Sequence, residues 1–285
     1  MSTMTEKWNF LRSHEAFRKA PIITLLRLLA WRLHCWLGKP ATITLPKWDL
    51  RMHLPAEWRG FARLMFAFRE MYEPELLYLD RLLSPGMTFV DVGACYGVYT
   101  LVAAKLVGAK GRVIAFEPAS RSYAVLQENI KLNGLANVRP YRVALSDRIG
   151  FSRLYHQPDP GRNSLGVPEG ISGAPEEVET NTLDSVLGSG PSERVDVMKL
   201  DVEGAEELVF RGAREILTTA HPAIIFEVNP EAVTALGLSP RGAWDILDRM
   251  GYSTFRALDG NAPIPLRVPP EFICNLIALH STKGI

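Results

Sequence analysis

The sequence predicts an α/β domain built on a largely parallel β-sheet, and three stretches carry that prediction. The first, Thr88-Phe89-Val90-Asp91-Val92, is a β-branched, apolar run that ends in two glycines spaced four apart, Gly93 and Gly97, before the helix-length stretch 98–107. The second, Arg112-Val113-Ile114-Ala115-Phe116, ends at Glu117-Pro118, about one strand–helix–strand unit further on. The third, residues 195–200, runs into Asp201-Val202-Glu203-Gly204-Ala205-Glu206, three carboxylates within six residues. In a parallel sheet such strand ends lie at the carboxyl edge, where ligands bind.

Composition bounds the rest. A chain of 285 residues with 47% hydrophobic content is enough for one large domain with additions, or two small ones. The net charge of +1 excludes a global phosphate-binding character, but the charge is uneven. Residues 1–40 carry seven Lys/Arg against two Glu, a net of +5, which leaves −4 for the remainder. Three cysteines, Cys35, Cys95 and Cys274, fit neither a disulfide framework nor a zinc spacing. The N-terminus lacks the compact apolar stretch and small-residue cleavage pattern of a secretory signal, so a cytoplasmic location is the default expectation.

Taken in order, residues 22–37 read as a helix. Thr24, Arg27 and His34 fall on one side with Arg32 at its edge, and leucines and tryptophans cover the rest. The stretch is too short, and too interrupted by Arg27 and Arg32, to span a membrane. It is expected to pack on the domain or on the partner in a homodimer, with peripheral contact to an anionic membrane as the alternative. Residues 41–46 and 49–54 alternate as a hairpin, and 72–83 form a helix stopped by Ser84-Pro85-Gly86. Residues 1–70 are therefore an N-terminal helical and hairpin extension, and 71–285 a Rossmann-like domain.

Within that domain, 120–132 is a helix ending at Asn133-Gly134, a left-handed stop. Residues 138–145 are expected to form one strand, weakened by Pro140 and finishing at Ser146-Asp147. Residues 157–179, rich in Pro, Gly and Ser, form a loop, with a lid over substrate as the minority reading. A strand and turn follow at 177–184. The fifth main strand, 223–226, ends at Glu227-Val228-Asn229-Pro230, and a helix at 240–250 precedes strands at 252–257 and 272–279.

The loop after Asp91 points to a ligand class, with an ordinary tight turn of an α/β sheet as the alternative. In the dinucleotide fingerprint G-x-G-x-x-G the second and third glycines would stand at Cys95 and Val98, which excludes that pattern. The spacing fits D-x-G-x-x-x-G instead, the loop many methyltransferases use for S-adenosylmethionine (SAM), with helix-start amides expected to face the methionine carboxylate. Glu117 stands where a carboxylate accepts hydrogen bonds from both ribose hydroxyls of either NAD or SAM, so it points to a nucleoside ligand more than to a particular one. Asp147 stands where an acid reads the adenine amino group, with Leu145 covering the ring.

Together, Asp91-Val92-Gly93-Ala94 with Gly97, Phe116-Glu117-Pro118, Ala144-Leu145-Ser146-Asp147, Thr182-Leu183-Asp184 and above all Lys199-Leu200-Asp201-Val202-Glu203-Gly204-Ala205-Glu206 resemble the FkbM family of SAM-dependent methyltransferases over about residues 70–230. The resemblance implies a class I methyltransferase fold, a seven-stranded, mostly parallel sheet with an antiparallel last strand. It also implies O-methylation of a small-molecule or sugar hydroxyl, leaving S-adenosylhomocysteine. The cofactor residues are then Asp91, Gly93, Ala94, Tyr96, Gly97, Glu117, Pro118, Leu145, Ser146, Asp147 and Asp201. Cys95 and Tyr96 depart from what that family often has.

Methyl transfer to an alcohol needs an in-line acceptor and a base for its proton. Asp201 and Glu203 are the candidates, and His156, at the border of the 157–179 loop, is the one histidine placed for acid/base work. Glu206 is expected to face solvent, and Lys199 to point away from the face that carries Leu200. Asp201, Glu227 and Asn229 are the alternative set for a divalent metal, which is not favoured. An RNA or protein methyltransferase, docking through its basic N-terminus, and a noncatalytic adaptor that keeps the fold are the other readings; nucleic acid is disfavoured by the near-neutral total charge.

Overall fold

The computed structural model describes residues 4–167, 174–188, 194–258 and 261–282. The chain opens with helices α1 (Met4–Ser13), α2 (Glu15–Lys19) and α3 (Pro21–Trp36), followed by the hairpin strands β1 (Ala41–Leu45) and β2 (Leu50–Leu54). Helices α4 (Phe61–Phe68) and α5 (Pro74–Leu82) lead into β3 (Thr88–Val92), α6 (Val98–Val107), β4 (Arg112–Phe116), α7 (Ser120–Leu132) and β5 (Val138–Tyr141). Then come β6 (Ala144–Leu145), β7 (Gly150–Leu154), β8 (Glu176–Asn181), α8 (Leu183–Leu187) and β9 (Val197–Leu200). The chain continues through α9 (Glu206–Arg211), α10 (Arg214–Thr219), β10 (Ala223–Val228), α11 (Pro230–Ala235) and α12 (Gly242–Arg249) to β11 (Tyr252–Leu258), β12 (Asn261–Pro265) and β13 (Cys274–His280).

The main sheet has the order β12-β11-β13-β10-β9-β3-β4-β5. The five strands from β10 to β5 run parallel, and β13 is antiparallel to β10. The seven-stranded arrangement with a reversed last strand is therefore present, and β12 adds an eighth strand at the edge. From β3 the chain builds outward through β4 to β5, then returns to lay β9 on the other side of β3. That reversal opens a crevice at the carboxyl ends of β3 and β9.

The central strands are buried on both faces, as parallel strands covered by helices must be. Alternation along β3 places Phe89 in one core cluster and Val90 and Val92 in the other. The first cluster also holds Ile43, Leu45, Met52 and Leu54 of the hairpin, so the N-terminal extension shares the domain's core. Asn129 on α7 and Asn133, which caps the end of that helix, clamp the edge of β2. They accept from the amides of His53 (2.6 Å) and Arg51 (2.8 Å) and donate back to the carbonyls of the same residues. Side-chain amides thus complete a ladder that the two-stranded hairpin leaves open.

One expectation is corrected here. Residues 138–145 are not a single strand: β5 stops at Tyr141, and β6 joins a separate three-stranded sheet of order β6-β8-β7. Pro140 is tolerated because β5 is an edge strand. Of the 157–179 loop, 168–173 lie outside the described residues.

Candidate active site

The site begins with a close approach of two backbones. Gly93 has φ +81°, and a Cβ there would fall 1.9 Å from the carbonyl oxygen of Asp201, so only glycine lets the loops after β3 and β9 touch. The amides of Gly93 and Ala94 both donate to the Phe116 carbonyl at 2.9 Å, and that of Gly97 to the Ala94 carbonyl at 2.7 Å. These three amides are spent inside the loop, ahead of the start of α6 at Val98.

The next amide reaches Glu117. Cys95, at φ +50°, donates its N–H to Glu117 Oε2 at 2.8 Å, and Ala119 donates to Oε1 at 2.9 Å. Glu117 therefore straps the β3 loop to the end of β4 while keeping lone pairs for further donors. Burial pushes its carboxyl up to about 7 against the opposing pull of those two amides, helped by the charges of Asp91 and Glu176.

Two cavities meet at this loop. The first is a cleft lined by Gly93, Cys95, Glu117 and Pro118 and walled by the apolar Val143, Leu145, Leu154, Leu165 and Ala205. The second is lined by Phe61, Tyr72 and Tyr99 and by Glu73, Asp91, Asp159, Arg162, Lys199, Asp201, Glu203, Glu227 and Asn229. Gly93, Cys95, Gly161 and Asp201 line both. A molecule in the cleft and one in the acidic cavity would touch at Asp201.

Charge is concentrated in the second cavity. Lys199, buried, donates to Asp201 Oδ2 at 2.7 Å and lies 4.5 Å from the centre of the Tyr99 ring. Burial alone would lower its ammonium, but Asp201, Glu73 and Asp91 outweigh that and hold it above the usual range. Asp91 accepts from the Thr100 hydroxyl at 2.5 Å through Oδ2, while its buried Oδ1 has no partner. Glu203, at φ +50°, accepts from Asn229 Nδ2 at 3.1 Å. Burial, and then repulsion from Asp201, raise the carboxyls of both Glu203 and Glu227. Carboxylate oxygens of Asp201, Glu203 and Glu227 lie within 4.8 Å of one another.

Placed against the sequence reading, Gly93, Glu117, Pro118, Leu145 and Asp201 line the cleft, and Asp91, Ala94 and Glu203 line the acidic cavity. Tyr96 is turned away: its ring packs edge-on against Phe61 and its hydroxyl donates to Glu57 at 2.6 Å, in the N-terminal extension. Gly97 shapes the start of α6, where a Cβ would meet Leu126 at 2.4 Å. Ser146 and Asp147 sit just beyond the cleft, bonded to each other at 3.3 Å, because the chain turns into the small sheet at Leu145.

His156 is exposed, pairs with Glu176 at 3.0 Å and lines neither cavity. It lies just past the end of β7, a strand of the small sheet. In the metal alternative, Asn229 turns its N–H toward Glu203 and Glu227 because its Oδ1 caps α11 at Ala232 (3.2 Å), so the amide offers that cluster no oxygen. Glu206, expected in solvent, is buried and accepts from the Val202 amide at 3.2 Å.

Lys199 does reach the cavity. Glu73, Tyr99, Asp159 and Arg162 were not singled out as site residues. Asp159 belongs to an Asp-Pro-Gly turn signal, and its carboxylate accepts from the amides of Phe61 (3.1 Å) and Gly161 (3.2 Å), closing the cavity with α4.

Comparison with known proteins agrees with this architecture. Residues 91–254 match the Methyltransferase FkbM domain, more than half of the chain. Methyltransferase sdnD of Sordaria araneosa is 29% identical over 206 residues, 62% of this chain and 77% of that protein. The 2-O-methyltransferase NoeI of Sinorhizobium fredii (strain NBRC 101917 / NGR234) is 31% identical over 126 residues, 38% of this chain and 50% of NoeI. Of the Beauveria bassiana Methyltransferase 1 the chain spans 57%. The crystal structure of an FkbM methyltransferase from Methylobacillus flagellatus KT superposes with a TM-score of 0.44 at 14% identity, covering 77% of this chain and 53% of that one.

The fold and the domain match define a class I, SAM-dependent methyltransferase. The chain belongs to the FkbM methyltransferase family.

Proposed function

We propose that this enzyme methylates a hydroxyl group of a small molecule or carbohydrate, with the cofactor in the apolar cleft and the acceptor in the acidic cavity. The observation that carries the reading is the junction of those two spaces at Gly93, Cys95, Gly161 and Asp201. A hydroxyl acceptor accords with the name of NoeI, a 2-O-methyltransferase. The cavity sets Glu73, Asp91, Asp159, Asp201, Glu203 and Glu227 against Lys199 and Arg162, and so lacks the excess of cations that a phosphate-rich acceptor needs, which speaks against RNA.

The residues present fit SAM. Asp91 Oδ1, buried and unpartnered beside the acidic cavity, suits an ammonium group, and Glu117 suits ribose hydroxyls at the polar end of the cleft. Leu145, Val143 and Leu154 form an apolar wall for a base. SAM supplies a methyl group already activated on a sulfonium. The protein's own work is then to hold the acceptor oxygen in line and take its proton.

Asp201 is held at the junction by Lys199, which binds its Oδ2, and Glu203 is held beside it by Asn229 and by the Ser164 hydroxyl on its carbonyl (3.0 Å). These two carboxylates are the bases we assign. No metal is assigned to the cluster.

The test is transfer of labelled methyl from SAM to a panel of free sugars, oligosaccharides and hydroxylated small molecules, by the wild type and by Asp201→Asn. We expect a labelled ether product whose formation falls by about 10²-fold or more in the variant, the usual span for a lost general base. Labelling of RNA or protein alone would overturn the acceptor class, and undiminished turnover in the variant would remove Asp201 from the base role.

A further inference from the structure

Helix α3 is built the wrong way round for a helix facing water. Its polar side chains serve the inner face: Arg27 donates to the Ala67 carbonyl at 3.1 Å and Thr24 to the Ala20 carbonyl at 2.9 Å, while the Trp31 indole donates to the Glu57 carbonyl at 2.7 Å. The outer face is apolar. Ile22, Leu26, Leu29, Leu33 and Trp36 run down its centre, with Ile22 72% and Trp36 74% exposed. A surface helix ordinarily shows the reverse pattern.

We propose that this face seats the enzyme on an anionic lipid surface, with α3 lying in the plane of the interface. Two observations select lipid over a second copy of the chain. The first is width. Ile22, Leu26, Leu29, Leu33 and Trp36 recur at alternating spacings of four and three, as in a coiled-coil seam, but such a seam is flanked by charged residues. Here the flanks are Ile23 and Leu37 on one side and Leu25 on the other, all exposed, with Arg32 as the charge at the edge. An apolar face that wide suits the boundary between headgroups and acyl chains.

The second is charge. Arg12, Arg18, Lys19, Arg32 and Lys39 are all exposed in the N-terminal segment that carries this face, a segment of net charge +5 on a chain whose remainder is −4. Anionic headgroups would attract the first and repel the second, which orients the molecule. Exposed Trp36 supplies an amphipathic ring of the kind favoured at that depth. At 16 residues α3 is about 24 Å long, and among the described residues no helix is long and apolar enough to cross a membrane, so the contact is peripheral. Helix α3 packs on α4, whose Phe61 lines the acidic cavity, so the seat and the proposed acceptor site are one element apart.

The test is flotation of the full chain with mixed phosphatidylcholine–phosphatidylglycerol vesicles and with pure phosphatidylcholine vesicles, in low and high salt. We expect partitioning onto the mixed vesicles that weakens in salt. Leu29→Glu combined with Leu33→Glu should reduce it about tenfold or more, because both side chains would have to enter the interface. Arg32→Glu, at an exposed position, should reduce it by a smaller factor. Thermal unfolding and methyl transfer to a soluble acceptor should stay at wild-type values in all variants, which separates this proposal from the functional one. Equal flotation by the double variant, or equal binding to pure phosphatidylcholine, would overturn it. So would a wild-type dimer in solution that Leu29→Glu with Leu33→Glu converts to monomer, since the face would then belong to a second copy.

Discussion

Replacing Glu117 by Gln tests the cofactor assignment most directly, because the structure gives this carboxylate two separable duties. Its oxygens accept from the Cys95 and Ala119 amides, and the substituted amide group can satisfy only one of them, since its N–H₂ would meet the other donor head-on. That loss costs about 1–3 kcal/mol of stability. The second duty is toward ribose hydroxyls, where a charge-assisted hydrogen bond of about 1.5–3 kcal/mol corresponds to about 10- to 150-fold in dissociation constant.

The pH dependence separates the two. The carboxyl of the free protein titrates at about 7, raised chiefly by burial, and hydroxyl donors bind its ionised form. Affinity for S-adenosylhomocysteine should therefore be level above that pH and weaken toward tenfold per unit below it, as protons compete with the ligand. In Glu117→Gln the affinity should be lower and level throughout. Isothermal titration calorimetry between about pH 6 and 8 reads both. Wild-type affinity that does not change across that window, or a variant that binds like the wild type, would refute the assignment.

Three further outcomes follow from the same geometry. Gly93→Ala should abolish S-adenosylhomocysteine binding and lower the melting temperature, because its Cβ would sit 1.9 Å from a backbone oxygen that no rotamer change can move; wild-type calorimetry would show that the loops after β3 and β9 separate freely. The ligand-free protein should lose stability as pH rises from about 4.5 toward 8. Glu117, Glu75 and Glu206 have folded values of about 7, 7 and 8 against 4.5, so the native state holds the extra protons, and that stability is lost as they leave; a melting temperature that rises across this range at constant ionic strength would contradict the burial assigned to them. If Glu203 takes the acceptor's proton, kcat should climb with pH through the neutral range, since only the ionised form is a base and its carboxyl is raised; Glu203→Gln should flatten the climb, and an unaltered profile would leave Asp201 as the base.

What the sequence made legible was local. Strands 88–92 and 112–116 and helices 98–107 and 120–132 have the bounds that periodicity predicts, because β-branched runs, glycine turns and the Asn133-Gly134 stop act within a few residues. The site was legible where one residue type is sterically or electrostatically forced, as at Gly93 and Glu117. It was not legible where long-range contacts decide. Tyr96 sits inside the motif yet points to Glu57, 39 residues upstream, and Asn129 reads as an ordinary helix residue although it bridges the Tyr96 carbonyl at 2.9 Å and the edge of β2. The helix α4, almost uniformly apolar, has no period to read, and β12 hides behind Pro263 and Pro265. Glu206 follows the same rule: nothing in Ala205-Glu206-Glu207 says that its carboxylate will turn back to the Val202 amide.

The distribution of charge gives the proposed chemistry an internal logic. The acidic cavity sets Glu73, Asp91, Asp159, Asp201, Glu203 and Glu227 against Lys199 and Arg162, an excess of carboxylates that burial resolves by raising the carboxyls of Glu73, Asp91, Glu203 and Glu227. A buried Lys199 among them is weak support for stability, since a hydrophobic packing of the same volume would do as well. Its consequence is positional: it fixes Asp201 where the two cavities join. A cation arriving in the cleft beside Gly93 and Cys95 would favour the ionised forms of the same carboxylates, and so raise the fraction present as base once the methyl donor is in place. Raised carboxyls would then serve as hydrogen-bond donors to a polyhydroxyl acceptor while the site waits, and as bases when it is loaded, which a cavity lined by freely ionised acids could not do.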